Sequence, residues 1–534
     1  MPVSDPAPNP IDPFYVLTRL GYGPRPGDLA QFANQGFPRW FDEQLHAPPV
    51  DEPEVAQALS VARLRIKYGA GDPAKNQPWP AVDEMRPLTM LNQPIEALWP
   101  MLAERDKHAS QERRRPLIEV MAATLIRATH ARYQLREVIC NFWHDHFNVD
   151  AWHSEQVAVA LPAYDRNVIR PNALGNFHQM LEAVATSTAM LYYLSNHSSR
   201  AGAANENYGR ELFELHTLGR DAYLNDKYDR WREVPGATDG HPAGYIDEDV
   251  YESARAFTGW TVEDGAAIDG GRKLPNTGKF AYVENWHDGY QKRVLATDFN
   301  EFQPPMADGK KVLDLVASHP ATARYICRKL ARRLVSQTPS PQLVAAAADV
   351  WSKNIHAPDQ IAKVVRVIAL SPEFAQARGE KVRRPLALVA GFARATGLDL
   401  MPTEPLINTI ADAGQRLYGV PEPTGLHDDL RHFSGTNEMR QRWLLALGLA
   451  QNYWGTGVLN PEAMTPALVR NYGEVAAYWL IALTGSSDPN QIVAITAGMN
   501  IMPEQPLDPR DPNLGKRLAL IAAYAAMSPA FQSC

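Results

Sequence analysis

Long stretches of this chain space their apolar residues at helical intervals, and that spacing constrains the fold more than any other feature. In RRRPLIEVMAATLIRATHARYQLREVICNFWHDHF (113–147), Leu117, Met121 and Leu125 recur four apart and Ile126 follows, a helical spacing of apolar residues. Pro116 is expected near the start of that helix. Residues 154–195 read as two or three more helices, broken around Arg170-Pro171-Asn172. From 311 onward the pattern returns in KVLDLVASHPATARYICRKLARRLVSQ, PQLVAAAADVWSKN and DQIAKVVRVIALSPEF. It continues in LALVAGFARAT and in 439–452, 465–484 and 514–527. The expected fold class is mainly α, a multi-helix globular array. IALSPEFAQ and YAAMSPAFQ echo one another and read as two helices that each end at a Ser-Pro stop.

Two regions break the pattern. Residues 1–13, rich in Pro and Asp, are expected to be a flexible arm, with 14–534 one large helical unit. Residues 221–310 carry many Gly, Asp, Pro and Asn and are expected to form a small irregular or β-containing insertion. Within it, KFAYVENWHDG and KRVLATDF are candidates for a short hairpin. Near the start, Asp28 is a candidate helix start and Gly36 its end, and GYGPRPG reads as a turn rather than a dinucleotide loop.

Composition removes several function classes. Lys plus Arg is 53 against 60 Asp plus Glu, a net charge of −7, which argues against nucleic acid as the main partner. No apolar run approaches the ~18 residues of a membrane span. The start, MPVSDPAPNPIDPFY, shows neither the charged nor the apolar region of a signal peptide. Cys140, Cys327 and Cys534 are too few and too widely spaced for a disulfide framework or a metal knuckle.

The segment richest in reactive groups is NENYGRELFELHTLG (205–219). On a continuous helix Asn207, Arg210, Glu211 and Glu214 share one face, and Leu212 and Leu215 lie on another. Gly219 is a natural stop, and His216 would sit in the last turn, where an imidazolium is favoured. The functional reading makes Glu211 and Glu214 acid–base groups or metal ligands. The plain reading is a surface helix with weak i, i+4 ion pairs. A second constellation is FWHDHF (142–147). His144 and His146 point the same way in an extended segment and diverge in a helix, so ligation and aromatic core anchoring both stand open. DEDVYESARAFTGW (247–260) reads as a capped helix closed by Gly259, with Trp260 as a core plug or a substrate platform. WHDG (286–289) offers His287 beside Asp288. TARYICRKLARRLV presents Arg324, Arg328, Lys329, Arg332 and Arg333 as a basic face. KVRRP and GQRLYGVPEPTG read as loop or boundary signals. No HExxH, P-loop, GxSxG or paired CxxC pattern occurs.

Taken together, LTRLGYGPRPGDL, FWHDHF, NENYGRELFELHTLG, DVYESARAFTGW, WHDG, HPATARYICRKLARRLV, SPEF, KVRRPLALVAG and GQRLYGVPEPTG resemble the bacterial domain-of-unknown-function 1800 family, in its order, over roughly 14–532. In that family the histidine motif usually reads FWHNHF, so Asp145 adds a carboxylate beside the imidazoles. The resemblance implies a periplasmic or extracellular setting, because relatives are typically exported with a leader and their genes often neighbour those of an exported family resembling sulfatases.

Three functions are carried forward. The first is a metal-assisted oxidoreductase or hydrolase. There His144, His146 and His216, with Glu211 or Glu214, hold a divalent cation and Asp145 or a free carboxylate is the base. Asn205, Asn207, Trp260 and His287 are its candidate substrate contacts, for a small-molecule or saccharide substrate. The second is a metal-free hydrolase or lyase, with Glu211 or Glu214 as acid and Arg210 holding an acidic saccharide or peptide. The third is a non-enzymatic envelope scaffold in which 205–219 is a buried ion-pair network. The concentration of reactive side chains in two short segments favours an enzyme.

Overall fold

Proline opens helices in this protein more often than it stops them. Pro13, Pro53, Pro320, Pro341 and Pro385 each occupy the first turn of a helix. There the missing N–H costs nothing and the fixed φ is already helical. The two Ser-Pro echoes work both ways. One helix ends at Ala369 or Met527, and Ser371 or Ser528 then caps the next by accepting from Phe374 N (3.1 Å) or Phe531 N (3.4 Å). Pro116 and Pro162 are exceptions: each lies inside its helix, that of Pro116 beginning six residues earlier at Ser110.

A computed structural model describes residues 11–268 and 271–534. The architecture is mainly α-helical, with three two-stranded antiparallel sheets among the described residues. The helices used below are α1 (Ser110–His130), α2 (Gln134–His146), α3 (Glu206–Glu211), α4 (Asp247–Ala256), α5 (Pro320–Leu334) and α6 (Pro385–Thr396). Residues 1–10 of the expected arm lie outside the described residues. Its last positions are already structured, with Asp12 capping helix Pro13–Arg19.

Among the described residues one main cluster of buried apolar side chains runs from Tyr15 to Phe531, so both ends of the chain share a core. Two small satellite clusters, Val234–Ala237–Ile246 and Leu274–Val283–Trp286, lie in the 221–310 insertion. That insertion does contain strands, but the expected hairpin is replaced by two others. Trp260–Asp264 pairs with Asn276–Tyr282, and KRVLATDF folds on itself, Lys292–Val294 against Thr297–Phe299. The tight turn at Leu295-Ala296 has φ of 49° and 57°. Such a turn normally announces itself with Asn-Gly or Asp-Gly, which explains why the sequence hides it. No helix among the described residues is long and apolar enough to cross a membrane.

Candidate functional site

Helix α2 ends in FWHDH, and helical geometry sends its two histidines apart. His144 Nε2 lies 2.9 Å from Asp165 Oδ1, in contact with the Tyr418 and Tyr164 rings. Asp165 also accepts from Arg127 Nη1 at 3.1 Å. Arg127 pairs with Asp51, and Arg170 joins Asp51 to Glu137, which meets Arg136. This is a closed, buried charge network. Burial alone would raise its carboxyl groups, but their partners win. His144 and Arg127 hold Asp165 well below the usual carboxylate range, and Arg170 and Arg136 hold Glu137 at about 2.

His146 faces the other way, at 1% exposure. Its Nε2 is 3.1 Å from the carbonyl oxygen of His216, and its Nδ1 is 2.9 Å from Lys329 Nζ on α5. These partners fix the tautomer: Nε2–H donates to the carbonyl and Nδ1 accepts from the lysine. Burial, then the Lys329 cation and His216, hold His146 neutral. Burial also lowers His216 to about 3, so the imidazolium expected at that helix end does not form. Lys329 is itself lowered to about 8 by burial, offset in part by Asp145 and Asp428.

The segment 205–219 is not one continuous helix. α3 stops at Glu211, and Leu212–His216 winds as a π turn, a form that recurs at functional sites. A second π turn, Tyr164–Ile169, carries Asp165. The first change of winding parts the residues expected on one face. Arg210 turns toward Asp247 (3.7 Å) and Glu206 (3.8 Å). Glu211 and Glu214 sit half-buried beside one another. Burial, then the charge of Glu214, raises Glu211 to about 6, and Arg210 only partly offsets this. Glu214 has a long contact to Arg220, at 3.8 Å on an exposed side chain that contributes little. Its charge also reaches Tyr245 and Tyr325.

Tyr325 links the acidic ledge to the imidazoles. Its ring lies 6.3 Å from that of His146, Lys329 Nζ lies 5.5 Å from its centre, and its face packs on Gly219. At Gly219 φ is +87°, and a Cβ would come within 2.5 Å of Tyr325, so only glycine fits. The loop 418–428 forms the opposite edge. Asn148 Nδ2 donates to Val420 and Glu422 carbonyls, and Tyr193 OH donates to Pro421 O at 2.8 Å. Gly425 approaches Asp145 so closely that a Cβ would sit 1.8 Å from its carbonyl oxygen. Asp145 pairs with Arg384 and, at 4.0 Å, with Arg333.

The imidazole and acidic segments therefore meet, through His146, His216 and Lys329, while His144 belongs to a separate structural network. The rings of His146 and His216 are 6.3 Å apart, and His146 has both nitrogens engaged. His144, His146 and His216 do not converge as a ligand set. Among the described residues no group of three or more His, Cys, Asp and Glu side chains is arranged to hold a metal ion. The expected substrate contacts also find other roles. Asn205 caps α3 and donates to Ser195 O, and Asn207 donates to Leu194 O. Trp260 is fully buried against Phe257 and Phe280, beyond reach of any substrate. His287 sits in its own cluster with Asp308 (3.3 Å) and the carbonyl of Thr258 (2.9 Å). Sequence reasoning missed Lys329 as a site residue, along with Asp165, Tyr193 and Tyr325. Lys329 and Arg333 turn inward from α5, and of the two it is Lys329 that meets His146.

Fold and site define the class: a large, mainly α-helical protein with a polar ledge of two carboxyls, phenols and a lysine at the end of a buried helix. The chain belongs to the family described as "Protein of unknown function (DUF1800)", whose profile matches residues 15–533. No curated protein and no solved structure matches it.

Proposed function

We propose that the protein is a metal-independent acid–base enzyme, a hydrolase or lyase, with Glu211 and Glu214 as the proton-transferring pair. The observation that carries this reading is the Glu211 carboxyl, half-buried beside a second carboxylate and raised to about 6. A carboxyl near neutrality can both give and take a proton at physiological pH, as general acid–base catalysis requires. Lys329, lowered to about 8 and hydrogen-bonded to neutral His146, supplies a cation across the ledge for a developing negative charge. Tyr193 and Tyr325 offer aromatic faces and hydroxyls suited to a saccharide or peptide. A divalent ion remains compatible with the carboxyl pair alone, but the diverging imidazoles do not favour it. By family resemblance, the setting is periplasmic or extracellular.

The test is a panel of chromogenic glycosides, esters and peptides, assayed with and without chelator. Turnover should survive the chelator and fall about 10²–10⁴-fold in Glu211→Gln, with the melting temperature held or raised. Activity that vanishes with chelator would return the metal reading. A Glu211→Gln protein that melts far earlier would point to the scaffold reading instead.

A further inference from the structure

Behind the Asp145 end of the ledge, a small cavity of about 60 Å³ opens between helix Pro13–Arg19, α2, α5 and the start of α6. Its wall carries five cationic side chains, Arg19, Arg333, Lys381, Arg383 and Arg384, each less than a tenth exposed. Among the described residues lining it, Asp428 is the one acidic side chain, and Asp145 stands one step behind Arg384. Asp428 is shared by Arg333 (3.0 Å) and Arg384 (2.8 Å). Among the described residues Arg383 has no carboxylate within ion-pair distance. Its Nε donates to Ser533 O, and its guanidinium stacks 4.3 Å from the Phe531 ring. Arg19 donates to the main-chain oxygens of Ala377 and Cys534.

Buried cations in excess of their counter-charges are costly, and proteins keep them where an anion completes the set. Two of these groups register the cost. Burial lowers Lys381 to about 8, against the pull of Asp428, and Arg383 to about 10. Arg19 Nε and Arg384 Nε are buried donors with no partner among the described residues. Leu386 and Ala387 of the first turn of α6 also line the cavity, with Leu386 N donating to Gln415 Oε1 at 2.8 Å. The remaining wall is apolar, with Tyr22, Val138 and Leu386.

We propose that this cavity binds the oxyanion head group of a small organic carboxylate or phosphate monoester, its charge set against Lys381 and Arg383. This rests on the cavity alone and is independent of the acid–base reading of Glu211, so Glu211→Gln should leave it untouched.

The experiment is calorimetric titration of the full chain with benzoate, phenyl phosphate and inorganic phosphate, each to about 10 mM, alongside thermal melting. One organic anion should bind one-to-one and raise the melting temperature, inorganic phosphate should bind more weakly, and the better head group identifies carboxylate or phosphate chemistry. Lys381→Met should weaken that binding about tenfold or more. Lys381 also holds the carbonyls of Arg332 and Asp428, so a second variant, Ala387→Leu, narrows the cavity without removing a buried hydrogen bond. With the fold intact by circular dichroism, Ala387→Leu should abolish binding. Silence from both organic anions, wild-type affinity in Ala387→Leu, or inorganic phosphate binding as tightly as the organic anions would overturn the proposal.

Discussion

Two clusters of carboxyl groups lie within a few turns of each other and behave oppositely. In the Asp165–Glu137 network every carboxylate has an arginine or histidine against it, and burial is overcome. On the Glu211–Glu214 ledge Arg210, the cation that acts on Glu211, has turned toward Asp247, Arg220 touches Glu214 only at long range, and burial of Glu211 wins. The residue types are the same. What separates a structural cluster from a reactive one is whether the charges are paired once water has been removed.

The largest effect should come from unpairing the first cluster. Asp165→Asn leaves Arg127 and His144 short of a buried anion and should cost about 3 kcal/mol in chemical denaturation. A loss below about 1 kcal/mol would break the comparison, because the network would then not be the structural member of the pair. Asp165 also carries a pH signature. Its folded pKa is depressed, so its stabilisation is complete above its ordinary value of 3.8 and is lost as pH falls below it. Acid melts of the wild type should show that loss, and Asp165→Asn should show less of it, with Glu137 supplying part of what remains.

Next in size is Gly219→Ala, which places a Cβ against Tyr325 in a left-handed conformation and should cost about 2 kcal/mol. If the site depends on Tyr325, this variant should lose activity beyond what its stability explains.

Glu211→Gln should move stability the other way. A carboxyl whose folded pKa is raised is most favourable when protonated, so its contribution declines as pH rises from its ordinary 4.5 through about 6. Above pH 6 the glutamine variant should therefore be the more stable, by about 1 kcal/mol once solvent screening is allowed for. Equal stability across that window would mean Glu211 is paired after all. The smallest effect is spectroscopic. Lys329→Met removes one of the charges that keep His146 neutral, so its imidazole should titrate at higher pH by NMR, though burial still holds it below the ordinary value.

Much of the fold was legible because helical spacing survives in almost every long segment, as in 113–147. The limits were local. Leu295-Ala296 turns a hairpin without a turn signature, and Pro116 lies inside a helix that can bypass one missing hydrogen bond. For the site, the sequence singled out the right two segments but joined them wrongly. The π turn at 212–216 sends Arg210 and Glu214 in different directions, and no spacing rule at 3.6 residues per turn anticipates that. Of the two histidines, only the one beside Lys329 reaches the acidic segment. The cationic cavity was hidden because its wall comes from residues 19, 333, 381–384 and 428, which are far apart in sequence: the basic face of α5 and the KVRRP boundary each stood out, but nothing in the spacing joins them.

The weld between the 48–52 turn and α2 limits how this protein can be dissected. Arg136 donates to the carbonyls of Pro48 and Val50 and pairs with Glu52, while Arg127 and Arg170 share Asp51. A fragment trimmed to begin at α1 would keep the three guanidinium groups and discard two of the acids that neutralise them. Its truncated helices would carry an uncompensated positive interior, so neither half of the chain should serve as an autonomous unit for crystallography or display.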